Sequence, residues 1–179
     1  MIFDCDGTLV DSSDLHLWSF QSALWAQGHD MDRDWYHART GLDRLSTLQA
    51  FATDASGPLN IAKAAQHSIE IFIANSASVL PIPESVQLIR LLVGKYRLAV
   101  GTNAEEEIAR ASLKEIGILH CFEHISSVSL GLAAKPAPDI FVDAAEKLGF
   151  RPSQTLVVED SDQGVEAAMS AGLDVIRLI

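Results

Sequence analysis

Two aspartates two residues apart dominate the start of the chain, in the string Asp4-Cys5-Asp6-Gly7-Thr8-Leu9-Val10-Asp11-Ser12. Apolar Ile2-Phe3 precedes them and Gly7, which lets the backbone turn sharply, follows, so both carboxylates are expected at a strand-to-loop exit. Like charges this close cannot both stay ionised cheaply unless a cation lies between them. A hard divalent ion with oxygen ligands, Mg²⁺ for preference, meets that need. Taken alone, the pair could equally cap a turn or a helix, because Asp-x-Asp-Gly is a common string.

Three further strings put similar chemistry at the ends of apolar runs. Val157-Val158-Glu159-Asp160-Ser161 supplies a second acidic pair. Val100-Gly101-Thr102-Asn103 supplies a hydroxyl and an amide ahead of a helix, whose N-terminus suits phosphate oxygens. Lys135-Pro136-Ala137-Pro138-Asp139 supplies one cation on a backbone stiffened by two prolines. Each has a plain alternative: Thr102 as a helix cap, Lys135 as a solvated loop residue, Glu159 and Asp160 as a helix start. Four such strings at successive strand ends of one chain point to a single site.

The elements that must position them are legible as periodicities. Strands are expected at Ile2-Phe3, Arg97–Val100, Ile125–Val128, Thr155–Val158 and Val175–Leu178, the later ones near-continuous apolar runs, as in a buried parallel sheet. Phe141, Ala144, Ala145 and Leu148 recur at helical spacing before Gly149, and Val165, Ala168 and Met169 repeat the pattern after a capping Ser161 or Asp162. Strands alternating with helices over 84–179 predict an α/β fold with a Rossmann-like parallel sheet, whose ligands bind at the carboxyl ends of the strands.

Residues 15–79 differ, with little strand signal and helical stripes at Leu15/Trp18/Trp25, Leu42/Leu45/Leu48 and Ile61/Ala65/Ile69/Phe72. They are expected to form an inserted α-helical cap over the sheet's carboxyl edge, with Trp18, Trp25 and Trp35 in its core. Residues 1–14 and 80–179 form the α/β core domain in this reading, and 11–14 and 79–83 the hinges.

With these residues in place, the chain resembles the haloacid dehalogenase-like hydrolase superfamily over essentially its whole length. The first motif of that family is similar to Asp4-x-Asp6-Gly7-Thr8-Leu9-Val10-Asp11-Ser12, the second to Thr102-Asn103, the third to Lys135-Pro136-x-Pro138 and the fourth to Glu159-Asp160-Ser161-x-x-Gly164. The nearest branch contains β-phosphoglucomutase, phosphoglycolate phosphatase and sugar phosphatases, and carries a helical cap after the first motif. The resemblance implies that Asp4 is a nucleophile forming an aspartyl-phosphate and Asp6 a general acid and base. It implies that Thr102 and Lys135 bind phosphoryl oxygens, and that Mg²⁺ is held by Asp4, the carbonyl of Asp6 and Asp160, with Glu159 a ligand or just behind one. Asp6 itself implies phosphate-ester chemistry, since dehalogenases of the superfamily lack an aspartate there.

Gly41-Leu42-Asp43-Arg44 resembles the cap loop that dips into the active site of this branch. Arg44 is then a holder of a second phosphate or a carboxylate, or else a solvated arginine paired with Asp43. His16 aligns with a mutase histidine that assists Asp6, or is a solvated helix residue, and Asn103 joins the substrate-binding set. Thr40 stands where mutases carry a lysine, which favours hydrolysis. The expected activity is a Mg²⁺-dependent phosphatase acting on a small phosphorylated metabolite, a sugar phosphate or a phosphoglycolate-like monoester. A phosphosugar mutase and a non-catalytic phosphate-binding module are the alternatives.

Charge and composition bound these readings. Among 179 residues, 24 are acidic and 13 basic, a net charge of −11 that argues against nucleic-acid or anionic-membrane partners. At 48% hydrophobic and 21% charged the chain is too apolar to be disordered. Cys5 and Cys121 make no disulfide scaffold or zinc motif and are expected buried. No apolar stretch is long enough to span a bilayer and no leader is visible, so a reducing, cytoplasmic setting is expected. A monomer is favoured, although no residue pattern fixes the oligomeric state. Only three residues precede Asp4 and the last apolar run ends the chain, so a short first strand and no terminal helix are expected.

Overall fold

The computed structural model describes residues 1–178. The chain opens with β1 (Ile2–Phe3) and β2 (Val10–Asp11), then runs through four helices, α1 (Ser13–Trp25), α2 (Arg33–His37), α3 (Arg44–Asp54) and α4 (Ile61–Ala74). It returns through β3 (Leu80–Pro81) into α5 (Pro83–Leu92), β4 (Ala99–Thr102), α6 (Glu106–Glu115) and β5 (His124–Ser127). The last elements are α7 (Asp139–Leu148), β6 (Leu156–Glu159), α8 (Asp162–Ser170) and β7 (Asp174–Arg177).

Five strands form a parallel sheet in the order β5-β4-β1-β6-β7. Its middle strand, β1, is only two residues long, yet it pairs on both sides: Ile2 opposite Ala99 and Val157, Phe3 opposite Val100 and Val158. Because successive residues of a strand face opposite ways, these six side chains split between two cores. Phe3, Val100 and Val158 pack with Ile89 of α5 and Ile108 and Leu113 of α6. Ile2, Ala99 and Val157 pack with Phe141, Ala144 and Leu148 of α7 and Ala167 and Ala168 of α8. Burial on both faces is why the strands read as continuous apolar runs.

Helices α1–α4 have a core of their own, including Leu17, Phe20, Leu24, Met31, Leu48 and Phe51. Leu15 of α1 and Ile69 and Phe72 of α4 turn instead into the core of the sheet, beside Leu9 and Val79. The two chain crossings between these regions pair as an antiparallel ribbon, Val10 opposite Pro81 and Asp11 opposite Leu80.

The structure corrects several sequence expectations. The second strand lies at Ala99–Thr102, two residues later than Arg97–Val100, because Ile2 sets the register at Ala99 and Arg97 turns outward to pair with Glu123. The other strands move by one residue, to His124–Ser127, Leu156–Glu159 and Asp174–Arg177. Trp18 and Trp25 are not in the helical core: they are 47% and 74% exposed, whereas Leu17, Phe20 and Leu24 of the same helix are buried. Trp35 is half-buried, edge-on to Phe51 at 5.3 Å. Leu42 and Leu45 are likewise exposed, leaving Leu48 alone of its stripe inside. Cys5 is buried but Cys121 only half so. No helix among the described residues is long and apolar enough to cross a membrane.

Candidate active site

The adjacency of β4, β1 and β6 brings three of the four strings together without any long-range accident. Asp4 follows β1, Thr102 ends β4 and Glu159 ends β6, so all three emerge at the carboxyl edge of neighbouring strands. Lys135 arrives on the loop between β5 and α7. All of the side chains singled out in the sequence, including His16 and Arg44 from the helical region, line one cavity of about 570 Å³.

At its floor, the Lys135 ammonium donates to Asp4 Oδ1 at 2.5 Å and to Glu159 Oε1 at 2.8 Å, and lies 4.7 Å over the ring of Phe141. The other Glu159 oxygen accepts from the Ser161 N–H at 2.6 Å and from its hydroxyl at 2.9 Å. Asp160 Oδ1 accepts from the Thr8 hydroxyl at 3.1 Å. Asp6 Oδ1 accepts from the Ser12 hydroxyl at 2.5 Å and faces His16 Nε2 at 3.3 Å. Thr102 Oγ1 accepts from the Ala104 N–H at 3.0 Å, so its hydroxyl hydrogen is free to turn toward the cavity. Asn103 joins two loops: its Nδ2 donates to Gly41 O at 2.9 Å, and its Oδ1 accepts from the Lys135 N–H at 2.7 Å.

These contacts set the electrostatics. Burial pushes the Asp4 carboxyl well above the ordinary range; Lys135 opposes this, while Glu159 and Asp160 add to it. Asp160 is raised by burial and then by Glu159. Burial would raise Asp6 too, but His16, Ser12 and Lys135 outweigh it and hold that carboxyl below the ordinary range. For Lys135, burial works against the ammonium, and Asp4 and Glu159 more than restore it, so the group stays charged.

The donor set suits a hard divalent cation. Asp4, Glu159 and Asp160 each offer a carboxylate oxygen, all within 4.8 Å of one another. Burial raises Asp4 and Asp160 most, and the repulsion among the carboxylates that adds to it is what a cation would relieve. Both oxygens of Glu159 are already engaged, whereas Asp4 and Asp160 use only Oδ1 toward Lys135 and Thr8. Gly7 lies so close to Asp160 that a Cβ there would strike its carboxylate, and its φ of 89° is one that glycine alone adopts freely.

Neither solvated alternative for the helical region holds. His16 is packed on Phe72, with ring centroids 4.4 Å apart. Arg44 is 4% exposed and does not pair with Asp43, which instead accepts the Ser46 N–H at 3.1 Å as the N-cap of α3. Its Nε donates to both oxygens of Glu105, at 3.1 and 3.0 Å, its Nη1 to Ser68 Oγ at 2.8 Å, and its Nη2 to His16 Nδ1 at 3.4 Å. Arginine can only donate, so His16 Nδ1 accepts and Nε2 carries the hydrogen that faces Asp6. Sequence reasoning passed over Glu105 and Ser68. A glutamate ahead of a helix reads as an ordinary partner of the helix dipole, and nothing local marks a contact 61 residues away.

Known proteins resemble the chain over nearly its whole length. Fructose-1-phosphate phosphatase YqaB of Escherichia coli (strain K12) is 30% identical over 179 residues, 98% of this chain and 94% of that protein. The crystal structure of CbbY from Rhodobacter sphaeroides in complex with phosphate matches with a TM-score of 0.89 at 28% identity, covering 97% of this chain and 83% of that one. A mutant of the same protein with xylulose-(1,5)bisphosphate matches equally well. The model of the haloacid dehalogenase-like hydrolases matches residues 1–178, and the chain belongs to that family.

Proposed function

We propose that the protein is a Mg²⁺-dependent phosphatase of small phosphorylated metabolites that works through an aspartyl-phosphate on Asp4. The observation that carries this reading is the fixing of Asp4 at the head of the central strand, with Oδ1 held by Lys135 at 2.5 Å and Asp160 and Thr102 on either side. A fructose-1-phosphate phosphatase among its relatives supports it.

Asp4 attacks phosphorus in line, the ester P–O bond breaks, and Asp6 gives its proton to the departing alkoxide. Water then attacks the phosphoryl group while Asp6 takes up its proton, and inorganic phosphate leaves with Asp4 restored. Ser12 and His16 favour the ionised form of Asp6 that acts as base. An arriving phosphate dianion beside Asp6 shifts it the other way, toward the protonated form that acts as acid. Lys135 and the Thr102 hydroxyl hold phosphoryl oxygens, and Lys135 keeps Asp4 and Glu159 from repelling them. Asp4, the main-chain carbonyl of Asp6 and Asp160 would hold Mg²⁺, with Glu159 behind them through Lys135 and Ser161; when bound it supplies charge neutralisation at the phosphoryl oxygens.

Residues 15–79 serve in this reading as a cap on a core of 1–14 and 80–179, with Asn103, Arg44 and His16 facing the rest of the substrate. Two free cysteines suit a reducing, cytoplasmic setting. The deciding experiment is phosphate release from a panel of phosphomonoesters with and without Mg²⁺. Asp4→Asn is expected to lower kcat by about a thousandfold or more, and equal turnover by that variant would sink the nucleophile assignment. Isomerised sugar phosphate without net phosphate release would put a mutase in place of the phosphatase.

A further inference from the structure

We propose that Glu105 selects the non-reacting end of the substrate, admitting phosphate monoesters of neutral polyols and turning away esters that carry a second anion. The inference rests on the phosphatase reading and deepens it. A free, buried guanidinium at position 44 would grip a second phosphate or a carboxylate with a forked pair of bonds. Here that grip is already taken by a carboxylate of the protein itself. Glu105 spans from the core to the cap region and meets Arg44 Nε through both its oxygens. Ser68 and His16 hold the other two nitrogens.

The side chain is turned to this task. Glu105 is the N-cap residue of α6, yet its side chain makes no bond to that helix. With side-chain exposures of 3% for Arg44 and 15% for Glu105, water screens the pair poorly. An incoming anion must therefore evict Glu105 or lie beside it, and close like charges in such a setting are strongly unfavourable.

The other lysine and arginines of the cavity wall are paired as well. Lys135 is committed to Asp4 and Glu159, Arg39 lies 3.6 Å from Asp54 and stacks on Trp35, and Arg177 pairs with Asp162. Every Lys and Arg on the wall thus has a carboxylate partner among the described residues. The wall further carries the hydroxyls of Ser13, Tyr36, Thr40 and Thr47, of which Thr40 and Thr47 donate to the carbonyls of His37 and Asp43 and so offer lone pairs to a ligand. Hydroxyls, together with the remaining lone pairs of Glu105, match the hydroxyls of a sugar or polyol.

The test compares kcat/KM for a hexose monophosphate, the matching hexose bisphosphate and phosphoglycolate, in the wild type and in Glu105→Gln, which keeps the shape and removes the charge. The wild type is expected to favour the monophosphate by about tenfold or more, and Glu105→Gln to shrink that gap by a similar factor. A wild type that prefers either anion-tailed ester, or a gap unmoved within about twofold in the variant, overturns the proposal. Using a ratio makes the result independent of any general loss of activity. Should Glu105→Gln fail to fold, calorimetric titration of the Asp4→Asn protein with the same esters decides the matter. Monophosphate binding tightest supports the proposal, and any other order overturns it. That titration needs no turnover, so a protein that hydrolyses none of the esters defeats the phosphatase reading while the binding order still judges Glu105.

Discussion

Gly164 lies beneath Glu159 so closely that a Cβ at that position would run into the glutamate carboxylate. Exchanging glycine for alanine in a helix ordinarily stabilises it by up to about 1 kcal/mol. Here the sign is expected to reverse, because Glu159 must move and Lys135 loses one of its two carboxylate partners. Gly164→Ala should therefore lower Tm and kcat together, and a thermal melt that showed stabilisation would contradict the packing described. Single residues were legible to the extent that their chemistry was local. Asp4 and Asp6 announce themselves by spacing, Thr102, Glu159 and Asp160 by falling at the ends of apolar runs, and Lys135 by the two prolines that follow it. Glu105 and Ser68 do not, since what they do depends on Arg44 reaching them across 61 and 24 residues of chain.

At the scale of elements, α3 matters because its first residue is Arg44 and its N-cap is Asp43. Asp43→Ala removes the bond to the Ser46 N–H and is expected to cost about 0.5–2 kcal/mol. Since the loosened turn carries Arg44, KM for a good substrate should rise more than kcat falls, which steady-state kinetics beside a melting curve would show. A fall in kcat with KM unchanged would place Asp43 in the chemistry instead. The order of strands and helices could be read from periodicity because parallel strands buried on both faces leave no polar alternation. Strand ends could not be read, since they are set by what β1 pairs with. Trp18 and Trp25 depart from expectation for a related reason. Helix α1 has apolar residues on more than one side, and only the assembled molecule shows that Leu17, Phe20 and Leu24 face inward while Trp18 and Trp25 look out.

For the molecule as a whole, the acidic excess has a centre at the mouth of the sheet. A cation bound there only by the folded state raises stability by about 2.7 kcal/mol at one hundred times its Kd. Thermal melts should rise with Mg²⁺ and fall back with a chelator; no shift at millimolar Mg²⁺ would count against the site. Asp4 and Asp160 titrate above the ordinary carboxylate range without the ion, and they must lose their protons to bind it. The Mg²⁺ concentration for half-maximal activity should accordingly climb as pH falls, and a pH-independent value would argue that other groups hold the metal. One further consequence follows from the ribbon of β2 and β3. Paired residues in an antiparallel ribbon lie only about 5 Å apart, so Asp11 and Leu80 could be joined by a short turn in place of everything between them. Such an excision would shorten the protein by more than a third while sparing Asp4, Asp6, Thr102, Lys135 and Asp160. It would bare Leu9, which needs a polar replacement, and would remove Ser12, His16 and Arg44. The shortened protein should keep the groups that attack and hold phosphate, with Asp6 stripped of its two supporting partners and Glu105 released from Arg44, a starting scaffold onto which a different discriminating element could be grafted.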